Sequence, residues 1–221
     1  MINPLRVLIT GCTGNLGQAC LAYARQHDWE FARVSRSYGL DLTNWEATNK
    51  YISSSISYDL VIMAHGVHRI INVANTVESD YNYVLDNNLA SCVSLTSALL
   101  RHSKLNAGGL LVYCSSLQAT HTRAKRALYS AAKAGLEGYM RGVAAELTGS
   151  RRALALRLGQ LETQMTDVKL DSEEVARLQA RCYTPWNKTM DIARLIFDLY
   201  TQPGITGCCL NVDSGQENAV W

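Results

Sequence analysis

The sequence lacks an excess of charge of either sign, since 21 basic residues face 19 acidic ones and leave a formal net charge of +2. It has no basic arm and no long run of like charge, which argues against a nucleic-acid partner. It contains no uninterrupted apolar run of about 18 residues, the length that a transmembrane helix needs. The N-terminal residues lack the charged and apolar regions of a signal peptide. These absences predict a soluble, cytoplasmic protein that binds neither nucleic acid nor membranes.

Cysteine pairs with redox or metal-ligand spacing are missing as well. The seven cysteines are scattered and contain no C-x-x-C pair, so we interpret them as reduced thiols in a buried, apolar setting. Among the five histidines only His65 and His68 lie close in sequence, and no cysteine or carboxylate stands beside them. We therefore predict no metal site.

What the chain does have is an alternation of short apolar runs with longer stretches of helical period. Strands are predicted over residues 5–10, 30–34, 60–64, 110–114, 153–158 and 208–212. Helices are predicted over residues 16–26, 43–54, 77–102, 126–147 and 189–200. Strand–helix alternation with continuously apolar strands predicts an α/β fold, a doubly wound parallel sheet flanked by helices. No repeat or Pro/Gly-rich linker interrupts residues 1–221, which indicates a single domain.

The connection after the second predicted strand is unusually short. Only about six residues separate its end from Asp41 and Leu42, too few for a helix and another full strand. We expect residues 36–41 to cross the sheet edge directly, with any third strand reduced to a stub.

A glycine-rich loop follows the first predicted strand and precedes the first helix. It reads Thr10-Gly11-Cys12-Thr13-Gly14-Asn15-Leu16-Gly17. Such glycines allow a tight turn, close approach of the backbone to a pyrophosphate and close helix–strand packing, while the helix N-terminus faces the phosphates. This context favours a Rossmann-like dinucleotide site over a plain strand–helix turn. The predicted contacts are Gly11, Thr13, Gly14, Asn15, Leu16 and Gly17.

The end of the second predicted strand carries no carboxylate that could bind the ribose hydroxyl of NAD. Ser35, Arg36 and Ser37 stand there instead. A guanidinium flanked by two hydroxyls suits a phosphate, because it offers bidentate, charge-assisted hydrogen bonds. We therefore expect NADP(H) to be favoured over NAD(H); the alternative is an ordinary solvated arginine.

From its first strand to its last, the chain resembles the short-chain dehydrogenase/reductase family. Tyr129 and, four residues later, Lys133 resemble the family's Tyr/Lys pair on one helix face. Ser116, at a strand end thirteen residues before the tyrosine, resembles its serine. Asn88 is the better match to its asparagine, and Asn87 is the fallback. The resemblance implies Ser116, Tyr129, Lys133 and Asn88 as catalytic residues.

Other segments resemble the parts of that family that contact the cofactor. Residues 63–66 resemble its Asn-Asn-Ala-Gly segment, which walls the cofactor, and residues 41–42 resemble the pair that contacts adenine. Residues 158–163 resemble its Pro-Gly-x-x-x-Thr turn beside the nicotinamide, and residues 211–215 resemble its closing Val-Asp-Gly-Gly segment. The glycine spacing is similar to that of the extended and atypical branches, whereas the Ser/Tyr segment looks classical. The further cofactor contacts implied are Ser35, Arg36, Ser37, Asp41, Leu42, Ala64, His65, Gly66, Asn88, Tyr129, Lys133, Gly159, Leu161 and Thr163.

The chemistry implied is reduction of a ketone or oxoacyl carbonyl by NADPH, or the reverse. A free tyrosine has a pKa near 10, and a neighbouring cation favours its phenolate form. Tyr129 would then protonate the carbonyl oxygen while Ser116 positions it. By resemblance, Lys133 also holds the nicotinamide ribose, and Asn88 anchors a water that relays protons. A nucleotide-sugar epimerase or dehydratase, favoured by the glycine spacing, and a non-catalytic NADP(H)-binding regulatory or scaffold protein remain alternatives.

Loops at the carboxyl ends of the strands are expected to select the substrate. They span residues 67–76, 117–128 and 160–187, the last with a short helix over 172–181 that suits a lid. Glu162, Tyr183 and Trp186 either line the pocket or pack within that loop. The basic segment 121–126 is either a solvated face or a site for an anionic carrier, such as a phosphopantetheine arm or acyl carrier protein. Family members pair the two long helices across an interface, which implies a homodimer or homotetramer.

Overall fold

A computed structural model describes residues 4–162 and 172–218. Its main sheet has six parallel strands in the order β2-β1-β3-β4-β5-β8, and β6 pairs with β7 in a small separate ladder. The strands are β1 (Arg6–Thr10), β2 (Glu30–Val34), β3 (Tyr58–Met63), β4 (Leu105–Ser116), β5 (Arg152–Leu158), β6 (Leu161–Glu162), β7 (Asn187–Lys188) and β8 (Cys209–Val212). The doubly wound parallel sheet predicted from the sequence is confirmed.

Helices cover both faces of this sheet. They are α1 (Asn15–Gln26), α2 (Trp45–Ser54), α3 (Glu78–Leu85), α4 (Ser91–Arg101), α5 (Ala127–Glu146), α6 (Ser172–Gln179) and α7 (Thr189–Tyr200). On one face of the sheet, α1 and α7 pack against strand residues such as Ile9. On the other face, α2, α4 and α5 pack against the alternate strand residues, such as Leu8. Because the strands are buried on both sides, their apolar runs are continuous rather than alternating. None of the described helices is long and apolar enough to cross a membrane.

The long helix predicted over residues 77–102 is interrupted. Helix α3 ends at Leu85, a π-helical turn spans Asp86–Ala90, and α4 begins at Ser91. A π turn inserts one extra residue without breaking the helix, so the apolar period does not reveal it, and such turns are frequent at functional sites. Here it buries the side chain of Asn88 completely.

The short connection after β2 does not contain even the shortened third strand that the sequence allowed for. A single 3₁₀ turn, Arg36–Tyr38, ends at Gly39 with φ of +83°, and the described residues between β2 and α2 form no strand. Strand β2 is therefore one of the two edge strands of the main sheet. This arrangement holds the end of β2 and residues 36–41 beside the glycine-rich loop.

Candidate active site

Two adjacent cavities lie at the carboxyl ends of the strands, next to β1, where the strand order reverses between β2 and β3. The first, of about 240 Å³, lies between the glycine-rich loop and the end of β2. The second, of about 390 Å³, lies over the end of β4 and the start of α5. Their shared walls are Gly14, Ala64, His65, Gly66 and Val67. A crevice at such a switch point is where doubly wound sheets bind ligands.

The glycine-rich loop lies directly against the end of β3. Gly11 has φ of +62°, and a Cβ there would stand 2.7 Å from the backbone of His65. Gly11, Thr13 and Gly14 line the first cavity, whereas Asn15 and Leu16 line the second. Gly17 instead packs beneath the loop, because a Cβ there would lie 2.3 Å from the carbonyl oxygen of Gly11. The glycines thus let the loop pack closely against the end of β3 and against the start of α1.

The residues expected around the adenosine end all line the first cavity; they are Ser35, Arg36, Ser37, Asp41 and Leu42. Arg36 Nη2 donates to Asn87 Oδ1 at 3.0 Å, and Asp41 accepts from the backbone N–H of Thr43. Although partial burial opposes it, hydrogen bonds from Thr43 and the charge of Arg36 lower the pKa of Asp41. Ser35 Oγ is buried without a hydrogen-bond partner among the described residues. A buried hydroxyl in that state fits a polar ligand group.

His65 forms an uncharged part of the shared wall. Its Nδ1 lies 2.6 Å from Thr10 Oγ1, and its Nε2 lies 2.8 Å from Ser91 Oγ. Burial, reinforced by the charges of Lys133 and Arg36, lowers the pKa of His65 to about 3. The imidazole is therefore neutral at physiological pH and acts as a fixed polar wall.

Ser116, Tyr129 and Lys133 all line the second cavity. Lys133 is buried, its Nζ donates to the carbonyl of Cys114 at 2.8 Å, and it lies 5.7 Å from the centre of the Tyr129 ring. Ser116 Oγ accepts from the backbone N–H of Gln118 at 3.2 Å. A hydroxyl, a phenol and a buried ammonium thus face one space, which suits proton transfer to a bound oxygen.

The π turn places Asn88, rather than Asn87, next to Lys133. Asn88 Nδ2 donates to the carbonyls of Val67 and Val84, both at 2.9 Å. A Cβ on Gly66 would lie 2.5 Å from Asn88 Oδ1 and 3.5 Å from Lys133 Nζ. The Asn88 amide group thus hydrogen-bonds to the backbone next to Lys133. Asn87 lies in the first cavity instead.

The far wall of the second cavity includes Gly159 and Leu161. A Cβ at Gly159 would stand 2.6 Å from Asp213 Cα, so the turn packs tightly on the segment after β8. Thr163 falls outside the described residues. Tyr183 is 71% exposed and packs on Gly215. It does not line either of the two cavities described above.

Residues 7–217 match the family model described as "Enoyl-(Acyl carrier protein) reductase". The chain belongs to the short-chain dehydrogenase/reductase family. It is 28% identical to the 3-oxoacyl-(acyl-carrier-protein) reductase FabG of Chlamydia pneumoniae, over 96% of this chain and 87% of that protein. It is 29% identical to carbonyl reductase family member 4 of Danio rerio, over 70% of this chain and 64% of that protein.

Solved structures show the same fold along almost the whole of this short-chain dehydrogenase/reductase. A 4-hydroxyisoleucine dehydrogenase complexed with NADH superposes with a TM-score of 0.88 at 22% identity, covering 98% of this chain and 100% of that one. A small-chain dehydrogenase in complex with NADPH gives 0.86 at 18% identity, with the same coverage. As a member of this family the chain is an oxidoreductase. Its structural neighbours include both NADH and NADPH complexes.

One charged pair in this short-chain dehydrogenase/reductase escaped the sequence analysis. Glu137, only 3% exposed, accepts from Arg157 Nε at 2.9 Å and Nη2 at 2.8 Å, and from Ser115 Oγ at 2.8 Å. Two features of the sequence point to this ion pair. Glu137 lies eight residues after Tyr129 on the predicted helix, and Arg157 is a charged residue within an otherwise apolar strand. The pair joins α5 to the ends of β4 and β5, where Glu137 contacts Ser115, the residue before Ser116.

Proposed function

We propose that this protein is an NADP(H)-dependent oxidoreductase that reduces a ketone or oxoacyl carbonyl to an alcohol, or catalyses the reverse, with Tyr129 as the acid/base. One observation carries the proposal: Ser116, Tyr129 and Lys133 line one cavity, which shares a wall with the cavity beside the glycine-rich loop. Gly11, Thr13 and Gly14, the Arg36 guanidinium and the Ser35 hydroxyl, which has no hydrogen-bond partner in the described part of the chain, are compatible with NADP(H) in the first cavity.

When bound, NADPH supplies hydride to the carbonyl carbon. Tyr129 donates a proton to the carbonyl oxygen, and Ser116 donates a hydrogen bond that orients the same oxygen. The buried ammonium of Lys133 stabilises the phenolate that remains. Asn88 holds the Gly66–Val67 backbone against Lys133, because both its amide hydrogens are used on backbone carbonyls. The proton-relaying water expected at Asn88 stays a prediction.

Arg36 is expected to determine the preference for NADPH. We expect fluorescence titration to give NADPH a dissociation constant at least about tenfold below that of NADH, or about 1.4 kcal/mol. Arg36→Met should weaken NADPH binding about tenfold and change NADH binding by less than about twofold, since only NADPH carries the 2′-phosphate. The matched control is Arg33→Met, because Arg33 stacks on Tyr38 away from the cleft. Equal affinities for both cofactors would contradict the NADP preference, and binding of neither would contradict the dinucleotide site itself.

The substrate is proposed to be a small carbonyl or alcohol compound, free or carrier-bound. The name of the Chlamydia relative supports an oxoacyl group, and that of the Danio relative supports a carbonyl. The segment 160–187, with α6, is proposed as a lid over the second cavity. All seven cysteines are free thiols, which supports the cytoplasm as the proposed compartment.

A homodimer or homotetramer is proposed to form through α5. Its exposed side is rich in small residues, namely Ala131, Ala134, Gly135, Gly138 and Gly142, which allow a second helix to approach closely. Gly138→Arg should convert the oligomer to a monomer in sedimentation velocity. Gly204→Arg, in an exposed loop with no atom within 4 Å of its added Cβ, serves as the control. A wild-type protein that sediments as a monomer would contradict the proposed interface.

A further inference from the structure

Behind the wall of the second cavity stands Arg126, which has no acidic partner among the residues that the structure describes. Arg126 directly precedes α5, and its Nη1 contacts both ring nitrogens of His68, 2.8 Å from Nδ1. None of the carboxylates in the described residues forms an ion pair with it. A guanidinium only donates hydrogen bonds, so His68 is the acceptor in this contact. The positive charge of Arg126 therefore remains uncompensated in this part of the protein.

His68 brings that charge next to the reacting position. Its ring lines the second cavity and packs edge-on against Tyr129, with 4.8 Å between ring centres and an angle of 75°. Arg126 also lies three residues before Tyr129, almost one helical turn away. The guanidinium is thus held one side chain away from the phenol that donates the proton.

Two other arginines in this region, Arg157 and Arg69, have acidic partners. Arg157 forms a two-pronged ion pair with Glu137, and Arg69 lies 3.6 Å from Asp80. Arg126 is half-buried without such a partner, and desolvation by burial together with the nearby charge of Arg123 lowers its pKa. Burial and repulsion both disfavour the charged guanidinium, and a bound anion would relieve both effects.

We propose that Arg126, together with His68, binds a carboxylate on the substrate a few bonds from the carbonyl that Tyr129 protonates. The substrates are then oxo acids, or hydroxy acids in the reverse direction. The phosphate of a phosphopantetheine arm offers the same charge, but the long pantetheine chain would carry that phosphate far from Tyr129. The proximity of the guanidinium to Tyr129 favours the carboxylate. This inference rests on the carbonyl reduction proposed above.

The test compares acids with their neutral esters. The probes are pyruvate, acetoacetate and 4-oxopentanoate, each with its methyl ester, at saturating NADPH. We expect the wild-type protein to prefer at least one acid by about tenfold or more in kcat/KM, and Arg126→Met to lower that acid-to-ester ratio by about tenfold, or about 1.4 kcal/mol. Arg126→Lys should keep part of the ratio, because it retains the charge. Lys125→Met, an equal loss of charge at the exposed neighbouring side chain, should change the ratio by less than about twofold.

Other outcomes overturn the inference. If Arg126→Met leaves NADPH affinity intact yet reduces turnover of acids and esters equally, the arginine has a structural role. A second arm uses S-acetoacetyl pantetheine with and without its terminal phosphate. If Arg126→Met lowers only the preference for the phosphorylated form, the anion is a carrier phosphate and the carboxylate assignment is wrong. If the wild-type protein reduces esters but shows no preference for acids, carbonyl reduction stands and this inference fails. If it reduces none of the probes, the proposed function fails as well.

Discussion

Replacing Tyr129 by Phe is expected to lower kcat by about 10²- to 10⁴-fold, the usual contribution of a positioned general acid. The substitution removes only the hydroxyl that would donate the proton. The ring of Phe still packs against His68 and beside Lys133, so the cavity keeps its shape. The glycine-rich loop and the end of β2 are untouched, and NADPH affinity should therefore change by less than about twofold. Steady-state turnover of a neutral ketone and fluorescence titration of NADPH provide the two measurements.

Tyr139→Phe is the matched control for this experiment. It removes the same hydroxyl group from the same helix. Tyr139, however, packs on Tyr113 in the core between α5 and the sheet, and not in the second cavity. We expect it to retain near-normal kcat. Turnover by Tyr129→Phe that remains close to wild type would contradict the acid/base assignment. Equal losses in the two variants would indicate a general effect of removing a hydroxyl from α5.

The elements that carry the candidate site residues could be predicted from local pattern. Ser116 ends an apolar run, and Tyr129 and Lys133 lie one helical turn apart, so each could be assigned to an element and a face. Parallel strands end at one edge of the sheet, which brings such residues together with the glycine-rich loop. The cavities that they line follow from that topology.

Contacts between distant segments were not predictable in the same way. The Arg36–Asn87 hydrogen bond joins residues 51 positions apart. It depends on the π turn, which leaves no mark in the apolar period. The Arg157–Glu137 pair depends on the packing of α5 against β5, and neither residue has its partner within its own element. Pairing across elements requires the three-dimensional arrangement, whereas spacing within an element can be read from the sequence.

Removing Glu137 is expected to have the largest effect on stability. Glu137→Leu leaves Arg157, whose side chain is only 18% exposed, without its principal acceptor. Breaking a buried ion pair from one side typically lowers the free energy of unfolding by about 3–5 kcal/mol, because an uncompensated charge stays buried. The double variant Glu137→Leu/Arg157→Met removes both charges and should recover most of that loss. Urea unfolding at one fixed protein concentration measures all three free energies.

Glu146→Leu is the control for the stability experiment, because Glu146 is exposed at the last turn of α5 and should change stability by less than about 0.5 kcal/mol. If the single and double Glu137 variants lose equal stability, the ion pair is not the cause, and the loss comes from the altered packing of the new side chain between α5 and the sheet.

The pH dependence of the unfolding free energy gives an independent check on the same ion pair. Burial alone would raise the pKa of Glu137, but hydrogen bonds from Arg157 and Ser115 and the charge of Arg157 outweigh it, so the pKa lies below its ordinary value. A carboxyl group whose pKa is lowered by folding contributes stability that is fully present above its unfolded pKa and is lost as the pH falls through its folded pKa. The wild-type protein should therefore lose this contribution on acidification below about pH 4, near the pKa of an unperturbed glutamate. The double variant has no carboxylate at this position, so its unfolding free energy should fall less steeply over the same range. Parallel pH profiles for the two proteins would show that the ion pair contributes nothing to folding.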